Sequence, residues 1–134
     1  MANIIKNDYG SVVVNDRVII KLIIKELLDL GDAVALCNRK GKIIKDKHAL
    51  FIEADYYDSV EYLDTIKANE VRIYMVKQQS VNISDFVDDL YQRINEIFDR
   101  LHVSRPRKIN IFIKGEITDD GLVKKEIEVQ HNNE

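Results

Sequence analysis

The sequence of 134 residues predicts an α+β fold, a two-layer sandwich in which a mixed β-sheet carries two helices on one face. Two strand-to-helix units, at 10–30 and 71–101, support this prediction, and a run of short strand candidates lies between them. Hydrophobic residues make up 46% of the chain, which is enough for one core. We therefore predict a single domain at 1–115, with 116–134 as its C-terminal hairpin or a loosely ordered tail.

The N-terminal segment predicts two short strands within 3–14, joined by a turn at 7–10. Asn15 or Asp16 is suited to cap the next helix, because its side-chain oxygen can accept a free backbone N–H. Gly31 follows the helix and is expected to end it in the left-handed conformation.

The first helix, from Arg17 to about Leu30, is apolar around most of its circumference. Such a helix is expected to be buried against the sheet and against a second helix or a second subunit. The positions at which we expect an oligomer surface are Ile19, Ile20, Leu22, Ile24 and Leu28, with Ile20, Ile24 and Leu28 as the principal candidates.

The central region predicts a β meander with strands at 33–37, 42–45, 49–54, 60–66 and 71–76. Turn residues separate these strands at 38–41, 55–59 and 67–70. The last strand alternates apolar and polar side chains, so one of its faces is expected to pack on the core.

The second helix is predicted over 82–101, with Asn82 or Ser84 as its cap. Its apolar residues form one stripe and its opposite face is charged, which places it at the surface of the domain. A core strand is predicted at 108–113 and a hairpin turn at 118–121. Residues 122–129 are then expected to form an edge strand or a loosely held tail.

Charge and composition exclude several classes of protein. The net charge of −3 argues against a general nucleic-acid binder, which needs a basic surface. The apolar stretch at 18–30 is interrupted by charges, whereas a membrane span needs about 20 nearly uncharged residues. The N-terminus lacks the apolar core of a signal peptide. We therefore expect a cytoplasmic protein without a direct transmembrane segment.

Reactive side chains are few and scattered. The three histidines, His48, His102 and His131, are far apart in sequence and are expected to be solvent-exposed, with His102 supporting the end of the second helix. Cys37 is the one cysteine, and we expect it to pack as a small hydrophobic residue. No Gly-x-Gly loop precedes either helix. The sequence therefore predicts no catalytic residue, metal site or cofactor.

The segment Asp55-Tyr56-Tyr57-Asp58 is the one candidate for acid–base chemistry, because two carboxylates three residues apart can share a site. A tight turn with exposed tyrosines is the favoured interpretation. Exposed tyrosines would also suit a protein contact.

Basic residues cluster in two segments and form a candidate patch for an anionic ligand or a partner. Its members are Arg39, Lys40, Lys42, Lys45, Lys47, Arg105, Arg107 and Lys108. For the basic stretch 39–47, the favoured alternative is that its charges pair across neighbouring strands of the meander, where 53–70 is acidic.

Two segments resemble the alkaline shock protein family, also described as general-stress or DUF322 proteins. The first is Tyr9-Gly10-Ser11-Val12-Val13-Val14-Asn15-Asp16-Arg17-Val18-Ile19, with a glycine, a strand, a polar cap pair and a helix. The second includes Asn82-Ile83 before a helix and Ile109-Asn110-Ile111-Phe112-Ile113-Lys114-Gly115 after it. Gly31-Asp32-Ala33 and Gln79-Ser80-Val81 depart from the family pattern, so the resemblance is that of a divergent member or of an analogue that shares the topology. The resemblance covers about 9–37 and 71–115.

The resemblance implies a bacterial, non-enzymatic cytoplasmic protein that oligomerises and can be tethered beneath the membrane through a partner. We accordingly expect a stress- or envelope-associated interaction protein that self-associates or binds a protein partner. The alternative is a module that binds RNA or an anionic ligand through residues 39–47 and 105–108. A small enzyme with a site near 55–58 is the third and least favoured hypothesis.

Overall fold

The α+β fold is confirmed by a computed structural model that describes residues 3–7, 10–44 and 54–133. Two helices and a mixed five-stranded sheet form its main body, and a two-stranded hairpin stands apart from that sheet. The elements are β1 (Asn3–Asn7), β2 (Gly10–Val14), α1 (Asp16–Leu28), β3 (Val34–Leu36), β4 (Val60–Asp64), β5 (Asn69–Gln78), α2 (Ile83–Arg100), β6 (Lys108–Thr118) and β7 (Gly121–Asn132).

The two predicted N-terminal strands are present and pair with each other. β1 and β2 are antiparallel, with Asn3 opposite Val14 and Asn7 opposite Gly10. They form their own two-stranded sheet, although the two strand-to-helix units suggested a single mixed sheet. The pairing of adjacent segments explains this difference, because the two strands satisfy each other's backbone groups locally.

The main sheet is built around β5. β6 pairs in parallel with one side of β5, while β3 and β4 share its other side. β3 lies opposite 75–77 and β4 opposite 69–73, so each covers part of the same edge. The parallel pair requires a crossover connection, which α2 supplies.

Both helices begin at the predicted caps. The Oδ1 of Asn15 accepts a hydrogen bond from the backbone N–H of Arg17 at 2.8 Å. The Oδ1 of Asn82 accepts from the backbone N–H of Ser84 at 3.0 Å. α1 ends at Leu28, slightly before the predicted end, and Gly31 adopts the expected positive φ of 70° in a short 3-10 turn.

The core lies between the helices and one face of the sheet. Ile23 and Phe98 from the helices pack in one apolar cluster with Ile73 and Ile111 of the central strands, and all four side chains are fully buried. A smaller cluster with Cys37, Tyr74 and Val76 lies apart from it, because alternate residues of a strand point to opposite faces.

The predicted meander is only partly regular. Of the strand predicted at 42–45, the described residues 42–44 contribute a single bridge, between Ile43 and Cys37. The strand predicted at 49–54 lies almost wholly outside the described residues. The turn predicted at 67–70 falls slightly earlier, where the backbone N–H of Thr65 donates to the Ala68 carbonyl at 2.8 Å, and β5 begins at Asn69.

The C-terminal residues form an edge strand, one of the two predicted alternatives, and not a loosely held tail. β7 pairs with β6 from Gly121 to Asn132, through the predicted turn at 118–121. β6 runs through Gly115, where the register shifts against both neighbouring strands. A Cβ atom on Gly115 would lie 2.9 Å from the Val123 carbonyl oxygen and 2.9 Å from Leu122 Cδ1, so the close approach of the strands requires glycine here.

Candidate functional site

The structure divides the predicted basic patch among three separate grooves. The first groove has a volume of about 300 Å³ and joins the basic segment to the tyrosine turn; its lining residues are Asn38, Arg39, Lys40, Tyr57, Asp58 and Glu61. The guanidinium of Arg39 lies 2.5 Å from Glu61, whose other oxygen accepts the Tyr74 hydroxyl at 2.9 Å. Arg39 therefore pairs with an acidic residue of 53–70, although from the turn after β3 and not across two paired strands as predicted.

The tyrosine turn differs from its prediction. Residues 54–58 form a 3-10 helix in which Tyr56 is 5% exposed, so the expectation of two exposed tyrosines was wrong for this residue. Tyr57 is half-buried, and the Arg17 guanidinium lies 4.3 Å from the centre of its ring. Asp58 is exposed, whereas the side chain of Asp55 lies outside what the structure describes.

The second groove, of about 510 Å³, lies beside the turn between β4 and β5. Arg107 and Lys108 line it together with Lys67, a basic residue that the patch prediction omitted. Glu70 also lines it, but its carboxylate accepts from Arg72 at 2.7 Å and from Asn110 Nδ2 at 2.6 Å. Lys40 lines the first groove, Lys42 is exposed outside the three grooves, and Lys45 and Lys47 lie outside the described residues.

The third groove lies between α2 and the end of β7 and has a volume of about 490 Å³. We name it the α2–β7 groove; it is lined by Asp88, Tyr91, Gln92, Asn95, Glu96, Asp99, Arg105 and His131. Arg105, predicted as part of the basic patch, is held here by Asp99 through bonds of 2.9 and 2.6 Å. This bidentate pair also lowers the pKa of Asp99.

Two amide side chains join β7 to α2 at the base of the α2–β7 groove. Asn95 Nδ2 donates to Asn133 Oδ1 at 3.0 Å, and Asn133 Nδ2 donates to Asn95 Oδ1 at 2.9 Å. Asn133 Nδ2 also donates to the Pro106 carbonyl at 2.7 Å. The strand end is thus fixed by polar contacts that satisfy one another.

His131 is not the solvent-exposed tail residue that we expected. Its ring stacks on that of Tyr91, with centroids 4.7 Å apart and planes inclined by 23°. Its Nε2 lies 3.0 Å from Asn133 Oδ1. Pairing of β7 along β6 explains the difference, because it carries His131 to the position opposite Ile109. His102 is exposed as predicted and follows α2 with a positive φ of 56°.

The Tyr91 hydroxyl is the least satisfied polar group of this groove. The residue is 5% exposed, and its hydroxyl is buried without a hydrogen-bond partner. Burial raises the pKa of Tyr91 to about 12, and the charge of Asp88 contributes to the same shift. A buried phenol without a partner costs free energy, which a suitable ligand would recover.

The predicted oligomer surface on α1 is divided between core and solvent. Ile19, Ile23 and Ile24 are fully buried within the chain itself, so Ile24 is not available to a second molecule. Ile20 and Leu22 are partly buried and pack against the same core. Leu28 is 40% exposed, and Val18 is 46% exposed. The reason is that α1 packs against both α2 and β4, which together cover most of its apolar circumference.

The described residues offer little conventional reaction chemistry. Cys37 is fully buried, as expected for a packed cysteine, and burial raises the pKa of its thiol to about 12. No group of three or more potential ligands is arranged around a metal position in the described part of the chain. Of the helices described, none combines the length and apolar character required to cross a membrane.

Sequence reasoning missed the α2–β7 groove because its parts come from distant segments. The sequence pattern placed Tyr91 and Asn95 in a helix and His131 and Asn133 in the C-terminal segment, with nothing to indicate that the two segments meet. The available signal was the polar Asn95 on the apolar side of α2, where it is 7% exposed and therefore needs a partner. Comparison of the chain with protein-family models, curated proteins and solved structures finds no match.

Proposed function

We propose that this protein is a non-enzymatic interaction module that self-associates or binds a protein partner along the outer edge of β7. The proposal rests on the outer edge of β7, which is unpaired among the described residues. β7 has 12 residues and pairs with β6 on one side, and no described strand pairs with its other side. An unpaired edge presents a row of N–H and C=O groups to which another strand can add.

The side chains of β7 favour selective over indiscriminate pairing. Leu122 is 47% exposed and Val123 is 53% exposed, which gives an incoming strand apolar area to cover. Charged residues follow directly, and some of these are held within the chain: Lys125 by Glu116, and Glu126 by Lys114 at 3.1 Å. Charges on an edge strand oppose aggregation, so a partner must match their pattern.

The non-enzymatic part of the proposal is supported by the state of the one cysteine and of two carboxylates that line the first and second grooves. Cys37 is buried as a neutral thiol, and thiolates rather than thiols react. Glu61 is engaged by Arg39 and Tyr74, and Glu70 by Arg72 and Asn110. These contacts resemble structural charge pairing more than a shared acid–base site.

The cellular part of the proposal is a bacterial cytoplasmic protein with a stress or envelope role, held near the membrane through a partner. It rests on the resemblance to the alkaline shock protein family alone. Affinity capture from cells, with membrane and soluble fractions analysed separately, tests it. A specific membrane-protein partner would support this role, whereas recovery of RNA or a metabolic enzyme alone would contradict it.

Oligomeric state over a range of protein concentrations tests the proposed edge, measured by size-exclusion chromatography with light scattering. Val123→Lys adds a charge beside the edge, and we expect the monomer to stay folded, because Val123 is 53% exposed. Val123→Thr keeps the branched shape and serves as the control. We expect Val123→Lys, but not Val123→Thr, to reduce self-association or capture of the partner. A monomer at every concentration, with identical captured proteins for wild type and Val123→Lys, would contradict the proposal.

The second candidate function, binding of RNA or an anionic ligand, is favoured by one observation. Lys67, Arg107 and Lys108 line the 510 Å³ groove, in which Glu70 is already engaged by other side chains. Binding of an RNA oligonucleotide should then weaken steeply with salt. Arg107→Gln should reduce it, whereas Lys42→Gln, an equal change of charge at an exposed residue outside the groove, should not. A flat titration at low ionic strength would eliminate this candidate.

A further inference from the structure

The α2–β7 groove contains two polar groups that have no hydrogen-bond partner among the described residues. The hydroxyl oxygen of Tyr91 is buried without a partner. Asp88, one turn earlier on α2, is exposed and makes no ion pair or hydrogen bond with another described residue. Side chains of a helix lean toward its N-terminus, which directs the Tyr91 hydroxyl toward the turn that carries Asp88. The effect of the Asp88 charge on the pKa of Tyr91 agrees with this direction.

The charge of the same groove is unbalanced. Arg105 supplies the one guanidinium among the lining residues, and this group already donates hydrogen bonds to both carboxylate oxygens of Asp99. Glu96 accepts only a neutral amide hydrogen bond, from Gln92 at 3.3 Å. Asp88 and Glu96 therefore remain as negative charges without a cationic partner in the described part of the chain. A positively charged hydrogen-bond donor fits both the charge and the free acceptors.

We propose that the α2–β7 groove binds an alkylammonium group, which donates hydrogen bonds to the Tyr91 hydroxyl oxygen and to the Asp88 carboxylate. An ammonium carries three donors and no acceptor, so it can donate to the Tyr91 hydroxyl oxygen and to the Asp88 carboxylate at the same time. The nitrogen belongs either to a free polyamine or to a lysine side chain of a peptide. The groove volume of about 490 Å³ accommodates a flexible alkyl chain in either case.

Access to the hydroxyl requires a small rearrangement. The Tyr91 oxygen is out of contact with solvent, so the ligand reaches it only after a neighbouring side chain moves. Asp88 is free to rotate, because no hydrogen bond to a described residue holds it. The stack of Tyr91 on His131 and the Asn95–Asn133 pair keep the floor of the groove in place. The site is independent of the outer edge of β7 and does not depend on the proposed self-association.

Spermidine and a blocked tetralysine peptide are the probes for this site. Binding is measured by isothermal titration calorimetry, and its location by chemical-shift changes of backbone amides. We expect either probe to bind and to shift amides of 88–96 and 129–133. Preference for spermidine would assign the site to a free polyamine, and preference for the peptide would assign it to a lysine side chain of a partner.

Three variants separate specific recognition from general attraction. Asp88→Asn should weaken binding about threefold to fivefold, as for an exposed charge pair. Tyr91→Phe should weaken it about twofold to tenfold without destabilising the fold, since the hydroxyl has no partner to lose. Asp85→Asn removes an equal charge on the same helix outside the groove and should leave affinity unchanged.

Two results would overturn the proposal. One is an equal loss of affinity in Asp85→Asn and Asp88→Asn, which would show attraction to the helix as a whole. The other is the absence of binding to wild type by either probe at millimolar concentration, under conditions in which the protein is folded.

Discussion

Asn95 and Asn133 exchange two hydrogen bonds, one in each direction, and so join the middle of α2 to the residue that follows β7. Each side chain satisfies a donor and an acceptor of the other. Asn95 is 7% exposed, so without this partner its amide would be buried and unsatisfied. The pair therefore fixes the position of the edge strand against the helical layer.

Removal of one partner should destabilise the protein. Asn133→Ala leaves the Asn95 amide without a partner and frees the Pro106 carbonyl, so we expect the free energy of unfolding to fall by about 1–3 kcal/mol. Urea unfolding followed by circular dichroism measures this. Asn132→Ala, at an exposed neighbouring position, is the control and should change stability by less than about 0.5 kcal/mol. Equal effects of both substitutions would argue against a role for the amide pair.

Two tyrosine substitutions should have opposite effects on stability. Tyr74 donates a hydrogen bond to Glu61 at 2.9 Å, so Tyr74→Phe should cost about 1 kcal/mol. Tyr91 has no hydrogen-bond partner for its buried hydroxyl, so Tyr91→Phe should preserve or raise stability. Thermal unfolding of wild type and of the two variants measures whether Tyr91→Phe is more stable than Tyr74→Phe. A Tyr91→Phe protein less stable than Tyr74→Phe would show that the hydroxyl is satisfied in solution.

The Cys37 thiol should be inert in the native protein. Burial raises its pKa from 9.0 to about 12, so almost no thiolate forms near neutral pH. A thiol reagent at pH 8 should leave Cys37 unmodified until urea unfolds the chain, and the reaction is followed by mass spectrometry. Rapid modification of the folded protein would contradict the burial of this residue.

The same thiol and Tyr91 predict a loss of stability at alkaline pH. Both groups have a folded-state pKa above the unfolded value, since burial disfavours their charged forms. Their contribution to stability is complete below about pH 9 and is lost as the pH rises toward 12. Urea midpoints measured across this interval should therefore decrease, and Tyr91→Phe should reduce the decrease. If the pH dependence of the Tyr91→Phe midpoint equalled that of wild type, ionisation of Tyr91 would not contribute to the loss of stability.

Gly115→Ala should destabilise the C-terminal hairpin. The added methyl group would lie 2.9 Å from the Val123 carbonyl oxygen, which is backbone and cannot move aside cheaply. We expect a cost of about 1–3 kcal/mol, with faster hydrogen exchange in β7. Adding Leu122→Ala relieves only the contact with Leu122 Cδ1, so the double variant should recover part of the loss at most. Full recovery of stability in the double variant would show that the clash is with the Leu122 side chain and not with the Val123 backbone.

Local patterns predicted much of the fold. The apolar stripe and cap of α2 predicted a helix at 82–101, and the structure has it at Ile83–Arg100 with Asn82 as the cap. The turn at 118–121 likewise predicted the β6–β7 hairpin. These features depend on neighbours within a few positions, which is why sequence spacing was sufficient.

Features made by distant residues were not predictable in the same way. Nothing local to Ile24 distinguishes burial within one chain from burial against a second, and the structure assigns it to the chain's own core. Arg105 was predicted to belong to the basic patch, but in the structure its charge is paired with that of Asp99. The α2–β7 groove needs Tyr91 and His131 together, and only the register of β7 brings them into contact.

The order of strands around β5 also bears on how the chain folds. Two pairings are local in sequence: β4 and β5 pair from Asp64 opposite Asn69, and β6 and β7 pair from Thr118 opposite Gly121. The pairings of β5 with β6 and of β3 with β5 each close about 40 residues of chain, an entropic cost that must be met before the contact forms. The two hairpins are therefore suited to form first, and the β5–β6 and β3–β5 pairings to follow.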